Sequence, residues 1–389
     1  MKHRTGFSLH RAADGAFGAW SLAGCSLRAG SIELEASAPV APGAAGEPPA
    51  IAGEATSPEL PAAFPFSSCV PSWNADAPAG CWVEVSLRAR TAGAWTTWRT
   101  MGVWASDDST IRRHSVGGQD DAMASVATDT LNAAQPADAF QARLRLFSAV
   151  DPAGRPKADV MPRVRAFSFA YSDRKPAASS IATSEPGSGP PDGARGLILG
   201  SVPQCSQMVY PNGGNVWCSP TSVSMVLGYW RGDEGPCETR VRAAVAGVYD
   251  HVYDGHGNWS FNAAYAGSLP GMEAYVARFA GLDRLEPWIA AGVPVVLSVS
   301  WNNNEGRMLT DAPVSKSSGH LTTLVGFDDY GNAVMNEPAS PSNETVRRVY
   351  DRGELEERWL TASGGAAYII FPSGTGASDR SRLFASTIG

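Results

Sequence analysis

Apolar and polar residues alternate along three stretches in the first half of the chain. In CWVEVSLRAR (81–90), charged or hydroxyl residues separate the apolar ones, which are Val83, Val85, Leu87 and Ala89. FQARLRLFS (140–148) and VRAFSFAYS (164–172) repeat the pattern. A period of two is typical of a strand with one buried face. Because Gly- and Pro-rich turns separate these strands and no helical pattern is visible, we predict an all-β sandwich over residues 1–174.

The pattern after residue 197 is mixed. A helix is predicted from Cys218, where apolar residues recur at spacings of three and four, namely Val223, Val226, Leu227 and Trp230. Helical spacing also runs through residues 271–279, and a short second helix follows before residue 292. Apolar runs predict strands at 294–301, on both sides of the turn at 328–332, and at 366–372. Helices followed by antiparallel strands indicate an α+β domain over residues 198–374.

Two segments lack the apolar periodicity of a packed element. Residues 175–197 include KPAASSIATSEPGSGPPDGAR, a composition that predicts a flexible linker. Residues 38–63 are rich in Ala, Gly and Pro, which predicts a long surface loop or a disordered insertion. Residues 375–389 follow the last predicted strand and are assigned to a C-terminal tail.

Composition and charge exclude some classes of function, although they say little about the fold. The 389 residues carry a formal net charge of −7 with a pI near 5.4, so no basic face can assemble and no nucleic-acid partner is expected. No apolar run has the length of a membrane span. The N-terminal residues have early basic side chains but neither an apolar core nor a cleavage site, so no secretory signal is visible.

Six cysteines occur, at positions 25, 69, 81, 205, 218 and 237, and the absence of a CxxC motif argues against a zinc site. Cys69 and Cys81 either form a disulfide across neighbouring strands or remain buried thiols. Cys205 and Cys237 present the same alternatives. If Cys218 were itself half of a disulfide, its partner would be one of the other five cysteines.

Cys218 has the surroundings of a reactive thiol. Pro220 fits the first turn of the predicted helix, which puts Cys218 at its N-terminal tip. The helix dipole and the free N–H groups at that tip favour the thiolate over the thiol. The thiolate is the form that attacks carbonyl carbons, so Cys218 is a candidate nucleophile.

A thiolate nucleophile needs a base, and His320 suits this role best among the six histidines. His320 opens the predicted strand HLTTLVGF, and the next strand ends at Asn336, Glu337 and Pro338. A carboxylate or amide returning to His320 would orient its imidazole, as in Cys-His-acid sites. Side chains of neighbouring strand residues point to opposite faces, so only one of Asn336 and Glu337 should meet His320.

The motifs VPQCSQ, WCSPTSVSMVL and GHLTTLVGFDDYGNAVMNEPA, in this order, resemble the C39-like family of papain-fold cysteine peptidases. GNWSFNAAYA and VRRVYDRGELEERW extend the resemblance over residues 200–372. More loosely, VPSWNADAPAGCWVEVSLRAR and AWTTWRTMGVW resemble the accessory β-sandwich ahead of some bacterial peptidase domains. The family implies a papain-like domain with a Cys nucleophile, a His base, an acidic third residue and an oxyanion-binding Gln. These correspond to Cys218, His320, Glu337 and Gln207.

The chain departs from the family pattern at two positions. Ser219 stands where the family usually has Gly, and its side chain is expected to narrow the substrate cleft. Glu337 stands where the family has Asp before Pro, so Asn336 is its rival for the third position, as in papain-type Cys-His-Asn sites. Motif position favours Glu337. Trp259 and Asn262 are candidates for the wall of the cleft, or alternatively a core aromatic and a turn residue.

The expected activity is hydrolysis of amide or peptide bonds through an acyl-enzyme, without a metal or organic cofactor. The same residues would also support transpeptidation or amidase chemistry on peptidoglycan peptides, and a binding protein with a decayed site is a third alternative. Peptides or proteins are the expected substrates, and a glycan or protein is a candidate ligand of the first domain.

The absence of a visible signal favours the cytoplasm, whereas the family resemblance allows secretion or a place in the cell envelope. Asp250, His251, Asp254 and His256 carry side chains that can bind metals, but their spacing matches no known site. We expect a solvated loop there.

Overall fold

The computed structural model describes residues 3–42, 47–173, 175–187, 193–374 and 376–388. Within them the chain divides into two compact units. The β-rich unit consists of residues 8–173 and 249–270, and the mixed unit takes the described parts of residues 1–7, 174–248 and 271–389. The chain therefore leaves the predicted second domain after residue 248 and returns to it at residue 271. This division differs from the expected single boundary near the linker.

The strands of the β-rich unit form one continuous hydrogen-bonded network, whose central order is β10-β8-β12-β7-β13-β4-β3. Neighbouring strands run antiparallel, as in the pairs β10–β8, β8–β12, β12–β7, β7–β13 and β12–β6. The strands are β1 (Thr5–Arg11), β2 (Ser21–Ala23), β3 (Cys25–Arg28), β4 (Ser31–Leu34), β5 (Val40–Ala41), β6 (Ala50–Thr56), β7 (Leu60–Asp76), β8 (Cys81–Thr91), β9 (Ala94–Trp95), β10 (Arg99–Trp104), β11 (Ala124–Ala127), β12 (Thr130–Ala149) and β13 (Arg163–Ser172).

The three strands predicted from alternation are confirmed as β8, the second half of β12, and β13. Their apolar residues meet across the sheet, with Val85 opposite Leu144 and Leu87 opposite Ala142. All four of these side chains are buried in one core cluster. Alternation predicted these elements because each strand keeps one face in the core.

Residues 38–63 differ from the expected loop or disordered insertion. They contain β5, β6 and the start of β7, while residues 43–46 lie outside the described part of the chain. Strand β6 pairs with the end of β12, where Ala55 lies opposite Leu144 and Gly53 opposite Leu146. Gly53 and Ala55 face the core with small side chains, and the core residue Ile51 is the one large apolar residue of the strand. Small side chains therefore concealed the alternation that larger apolar residues would have shown.

The segment 249–270 supplies part of the core of the β-rich unit. It contains the helix at Trp259–Ser268, and the Phe261 ring of that helix lies 6.2 Å from Trp73 and 5.5 Å from Trp104 between centroids. Ser260 Oγ donates to the Pro71 carbonyl at 2.7 Å, and the Asp250 carboxylate accepts the Ser115 N–H at 2.9 Å. These contacts explain why a segment inside the predicted second domain belongs to the β-rich unit.

The helices of the described chain are α1 (Cys218–Arg231), α2 (Cys237–Val248), α3 (Trp259–Ser268), α4 (Glu286–Ala290), α5 (Arg352–Ser363) and α6 (Ala377–Thr387). All but α3 belong to the mixed unit. Its antiparallel sheet has the order β14-β19-β15-β16-β17-β18. These strands are β14 (Met272–Arg278), β15 (Val295–Asn302), β16 (Lys316–Phe327), β17 (Ala333–Asn336), β18 (Arg347–Tyr350) and β19 (Ala366–Pro372).

Most elements predicted for the mixed unit are confirmed, including the helix at Cys218 and the hairpin around residues 328–332. The helix predicted over 271–279 is wrong, because Met272–Arg278 forms β14. This strand pairs with β19 and is buried on both faces, so its apolar residues are nearly continuous. A short apolar run of this kind does not distinguish a buried strand from a helix.

The described part of residues 175–197 packs on the mixed unit. Arg352 Nε donates to the Ser184 carbonyl at 2.6 Å, and the Gly187 N–H donates to Glu286 at 2.9 Å. These contacts differ from a freely flexible linker, although residues 188–192 lie outside the described chain. The expected tail likewise contains α6, whose Phe384 ring stacks on Phe7 at 4.3 Å.

A disulfide joins Cys205 to Cys237, so the segment before α1 is bonded to the first residue of α2. Cys69 and Cys81 are buried thiols and are not disulfide-bonded. Burial raises the pKa of Cys81 to about 11 and that of Cys25 to about 12, which keeps both in the protonated form. Cys218 is not disulfide-bonded and is partly exposed.

Candidate active site

Cys218 is the first residue of α1, and Trp217 is the N-cap. No side chain accepts a hydrogen bond from this end of the helix. The first backbone N–H groups of α1, next to Cys218, therefore have no capping partner. The segment before the helix turns tightly, because a Cβ added at Gly214 would lie 2.1 Å from the Gln207 carbonyl oxygen. Glycine at this position therefore allows the chain to fold back on itself just before Cys218.

His320 lies inside β16, which begins at Lys316 rather than at His320 as expected. It stands opposite Val299 of β15 and is almost completely buried. Ser222 of α1 donates its hydroxyl to the carbonyl of Leu321 at 3.1 Å. This bond joins the N-terminal part of α1 to the residue after His320 in β16. It therefore helps to fix the position of Cys218 relative to His320.

Glu337 and His320 form a direct hydrogen bond, with 2.6 Å between Glu337 Oε1 and His320 Nε2. The Glu337 side chain is fully buried, and its carboxylate accepts the Ala339 N–H at 2.8 Å and the Tyr350 hydroxyl at 3.3 Å. A buried carboxylate with several donors is held in one orientation. Because Nε2 is bonded to Glu337, the other ring nitrogen, Nδ1, is the one left for Cys218.

Asn336 points away from His320. Its Nδ2 donates to the Pro203 carbonyl at 2.9 Å, and its Oδ1 accepts from Arg347 Nε at 2.9 Å. Asn336 is the last residue of β17, and Glu337 follows it directly, so the two side chains take opposite faces. The structure thus brings Glu337, and not Asn336, to His320.

The electrostatics of the cluster favour a thiolate beside an imidazolium. Burial by itself would raise the pKa of Cys218, but the hydrogen bond and charge of His320, with the Leu321 N–H, outweigh it and lower that pKa. Burial would lower the pKa of His320, but the Glu337 carboxylate and the bond to Cys218 raise it well above its usual value. Despite burial, the same His320 charge holds the pKa of Glu337 below its ordinary range.

Gln207 is buried and lies beside the Glu337 loop, because its N–H donates to the Pro338 carbonyl at 2.8 Å. The preceding Ser206 N–H donates to Asn343 Oδ1 at 2.8 Å. Among the described residues, the Gln207 side-chain oxygen has no hydrogen-bond partner. The backbone of Gln207 is therefore fixed, whereas its amide keeps an unused hydrogen-bonding atom.

The three remaining predicted site residues have other partners. Ser219 is buried, and its hydroxyl lies 3.0 Å from the Tyr368 hydroxyl, so its side chain is engaged inside the mixed unit. Trp259 and Asn262 belong to α3 of the β-rich unit. The Trp259 N–H donates to Asp129, and Asn262 Nδ2 donates to the Asn258 carbonyl at 2.8 Å. The Ser219 hydroxyl is thus engaged with Tyr368, whereas a place for Trp259 and Asn262 in the wall of the cleft stays a prediction.

Sequence reasoning missed several residues that surround His320. The Trp301 ring meets the His320 ring edge to face, 5.1 Å between centroids and at 87°, and its Nε1 donates to the Val314 carbonyl at 2.9 Å. Tyr350 reaches Glu337 from β18, as described above. Trp301 ends the predicted strand at 294–301, so a pairing of that strand with β16 would have identified it. No sequence signal pointed to Tyr350.

The candidate metal residues around position 250 have protein partners. Asp250 accepts backbone N–H groups and the Asn258 amide, and His251 Nε2 lies 3.0 Å from Asp108. Across the described chain, no group of three or more potential ligands is arranged to hold a metal ion. Among the same described residues, no helix has the length and apolar character needed to cross a bilayer.

The chain thus combines a β-rich N-terminal unit with a mixed unit that carries a cysteine at a helix tip and a buried His-Glu pair. Residues 9–172 match the model of the Peptidase C39 N-terminal domain, and residues 200–367 match that of the Peptidase_C39 like family. The chain belongs to this peptidase C39-like family. Membership implies a cysteine peptidase type of function and a peptide or protein substrate.

No curated protein matches the chain. Among solved structures, the chain is similar to a "putative C39-like peptidase" from Bacillus anthracis, with 17% sequence identity and a TM-score of 0.32. That match covers 44% of this chain and 96% of the other. A TM-score this low does not establish a common fold, so the family assignment rests on the two model matches.

Proposed function

We propose that the protein is a cysteine peptidase that hydrolyses peptide bonds with a triad of Cys218, His320 and Glu337. The observation that carries this proposal is the 2.6 Å bond between His320 Nε2 and the buried Glu337, beside a cysteine at a helix tip. Such a pair keeps the imidazole oriented and charged, which stabilises the thiolate. We further propose a papain-like arrangement for the mixed unit and a β-sandwich for the β-rich unit.

The chemistry follows from these positions. The Cys218 thiolate attacks the carbonyl carbon of the substrate, and the π electrons move to the carbonyl oxygen. When the tetrahedral intermediate collapses, the C–N bond breaks and the His320 imidazolium gives its proton to the leaving amine. The neutral imidazole then takes a proton from water, which attacks the thioester and releases the acid and the thiolate.

The oxyanion of the intermediate needs donors that are already in place. The Cys218 N–H lies at the free end of α1, and the Gln207 amide is the second candidate. Gln207 suits this role because its backbone is bonded to Pro338, next to Glu337.

Hydrolysis is tested by the fate of the acyl group. Peptides are incubated with the wild-type chain in water enriched in oxygen-18, and the products are analysed by mass spectrometry. We expect cleavage with one heavy oxygen in each new C-terminal carboxylate, because water resolves the thioester. Cys218→Ala is the matched control and should give no products. Amide-linked products that form with an added amine, without heavy oxygen, would instead indicate a transferase.

The third member of the triad is tested by two neighbouring residues. Glu337→Gln should lower kcat by about 10²-fold or more, because the amide cannot balance the imidazolium charge. Glu337→Asp keeps the carboxylate and should retain most of the activity. Asn336→Ala should lower the melting temperature, since it leaves the Pro203 carbonyl without its donor, but kcat per folded molecule should stay near wild type.

The opposite ranking would show that the site depends on Asn336. If neither substitution changed kcat, His320 would not need Glu337 for orientation. A thermal unfolding curve of each variant provides its folded fraction, so that a loss of stability is not counted as a loss of catalysis.

A further inference from the structure

The two oxygens of the Glu337 carboxylate have different partners. Oε1 lies 2.6 Å from His320 Nε2, and Oε2 accepts the Tyr350 hydroxyl at 3.3 Å. We propose that Tyr350 is a positioning residue, whose hydroxyl holds the Glu337 carboxylate toward His320 and thereby supports the charged pair of His320 and Cys218. This inference rests on the proposed function, because it assigns Tyr350 to the same triad.

Strand register brings Tyr350 and Glu337 to the same face of the sheet. Tyr350 is the last residue of β18 and stands opposite Ala333 of β17. Alternate residues of a strand share a face, and Glu337 lies an even number of positions beyond Ala333. Tyr350 and Glu337 are both fully buried. Their hydrogen bond is therefore shielded from water, where a bond to a charged group contributes more than at the surface.

The Glu337 carboxylate needs an anchor on its second oxygen. The imidazole and the Ala339 N–H both bond Oε1, so these two contacts alone would let the carboxylate turn about that atom. Glutamate also has one more rotatable bond than aspartate. The Thr322 hydroxyl donates its single proton to the Asn336 carbonyl at 3.1 Å. The Tyr350 hydroxyl is therefore the group that fixes Oε2.

Tyr350 provides this hydrogen bond without adding a competing positive charge. Burial, together with the Glu337 charge, raises the pKa of Tyr350, so its hydroxyl stays protonated and neutral. Arg348 of the same strand donates to Ser340 Oγ at 2.9 Å and to the Asp311 carbonyl at 2.8 Å. Within the described chain, Glu337 thus forms its ion pair with the imidazole and not with Arg348. The carboxylate charge stays available to stabilise the imidazolium.

Tyr350→Phe tests this role, because it removes the hydroxyl and keeps the buried ring. The alkylation rate of Cys218 by iodoacetamide at mildly acidic pH is measured, together with kcat for a peptide substrate. Both should fall by about three- to tenfold, since a less well oriented carboxylate supports less imidazolium and therefore less thiolate. Measurements are made at a temperature where thermal unfolding curves show that the variants are folded, so lost packing does not enter the comparison.

Tyr275→Phe is the matched control for the loss of a tyrosine hydroxyl. The Tyr275 hydroxyl also donates to a carboxylate, Glu273 Oε2, at 2.6 Å. Its strand, β14, is separated from β16 by β19 and β15 in the sheet of the mixed unit. Tyr275→Phe should lower the melting temperature at most, and Cys218 should be alkylated at the wild-type rate.

A second variant separates positioning from a general effect on the fold. In the Glu337→Gln background, Tyr350→Phe should change the alkylation rate of Cys218 by less than about twofold, because no charged carboxylate is left to be held. The inference is overturned if Tyr350→Phe alone leaves the alkylation rate at the wild-type value or raises it. A fall of equal size in the wild-type and Glu337→Gln backgrounds would overturn it as well.

Alkylation needs no substrate, so this test is independent of the proposed peptidase function. If Tyr350→Phe slows alkylation but the wild-type chain cleaves no peptide, the peptidase function fails and the positioning role stands. If the wild-type chain cleaves peptides and Tyr350→Phe matches it in both alkylation and kcat, the positioning role fails and the peptidase function stands.

Discussion

Cys218→Ala is expected to abolish peptide hydrolysis, with a loss in kcat of at least about 10⁴-fold, because the thioester intermediate cannot form. Folding should be preserved, since the side chain is small, partly exposed and placed at a helix tip. The measurement is the turnover of a peptide substrate by purified protein, together with a thermal unfolding curve.

Cys81→Ala is a matched control for this substitution. Cys81 is also a thiol outside any disulfide, but it lies buried in the β-rich unit. Its replacement should lower stability through the cavity that it leaves, without changing kcat per folded molecule. Hydrolysis retained by Cys218→Ala would mean that another group is the nucleophile.

His320→Ala should cost about 10²- to 10⁴-fold in kcat, because the proton carrier and the cation beside the thiolate are lost together. The pKa of Cys218 should rise in this variant, since burial opposes the thiolate and His320 is the group that overcomes it. Alkylation of Cys218 at mildly acidic pH should therefore slow down in parallel with peptide hydrolysis.

Two other histidines serve as controls for this variant. His251 and His256 belong to the β-rich unit, and their replacement by Ala should leave kcat within a small factor of wild type. A loss at either position equal to that of His320→Ala would show that a different imidazole is the base.

Local sequence patterns predicted the helix and strands that carry the site residues. They did not predict which distant residues contact those side chains. The start of α1 at Cys218 followed from Pro220 and the helical spacing, and both are properties of adjacent residues. The opposite directions of Asn336 and Glu337 followed from the period of a strand, and the observed hydrogen bonds agree with that period. The roles of Glu337 and Gln207 in catalysis stay predictions.

The remaining features depend on pairing between distant segments. Strand β14 looked helical because both of its faces are buried, which only its place in the sheet explains. The insertion of 249–270 into the β-rich unit depends on Phe261 meeting Trp73 and Trp104, far away in sequence. Tyr350 reaches Glu337 only because β18 pairs with β17. No window of sequence contains such contacts.

The rate of alkylation of Cys218 as a function of pH tests the activated thiolate most directly. Folded wild-type protein is treated with iodoacetamide, and each cysteine is followed by peptide mass spectrometry. A lowered pKa means a larger thiolate fraction than an ordinary thiol has at the same pH, so Cys218 should be alkylated faster than a cysteine in an unstructured peptide at mildly acidic pH. Cys25 and Cys81, whose pKa values are raised by burial, should stay unlabelled. A Cys218 rate no faster than that of an ordinary cysteine thiol at the same pH would contradict a thiolate held by His320 and Glu337.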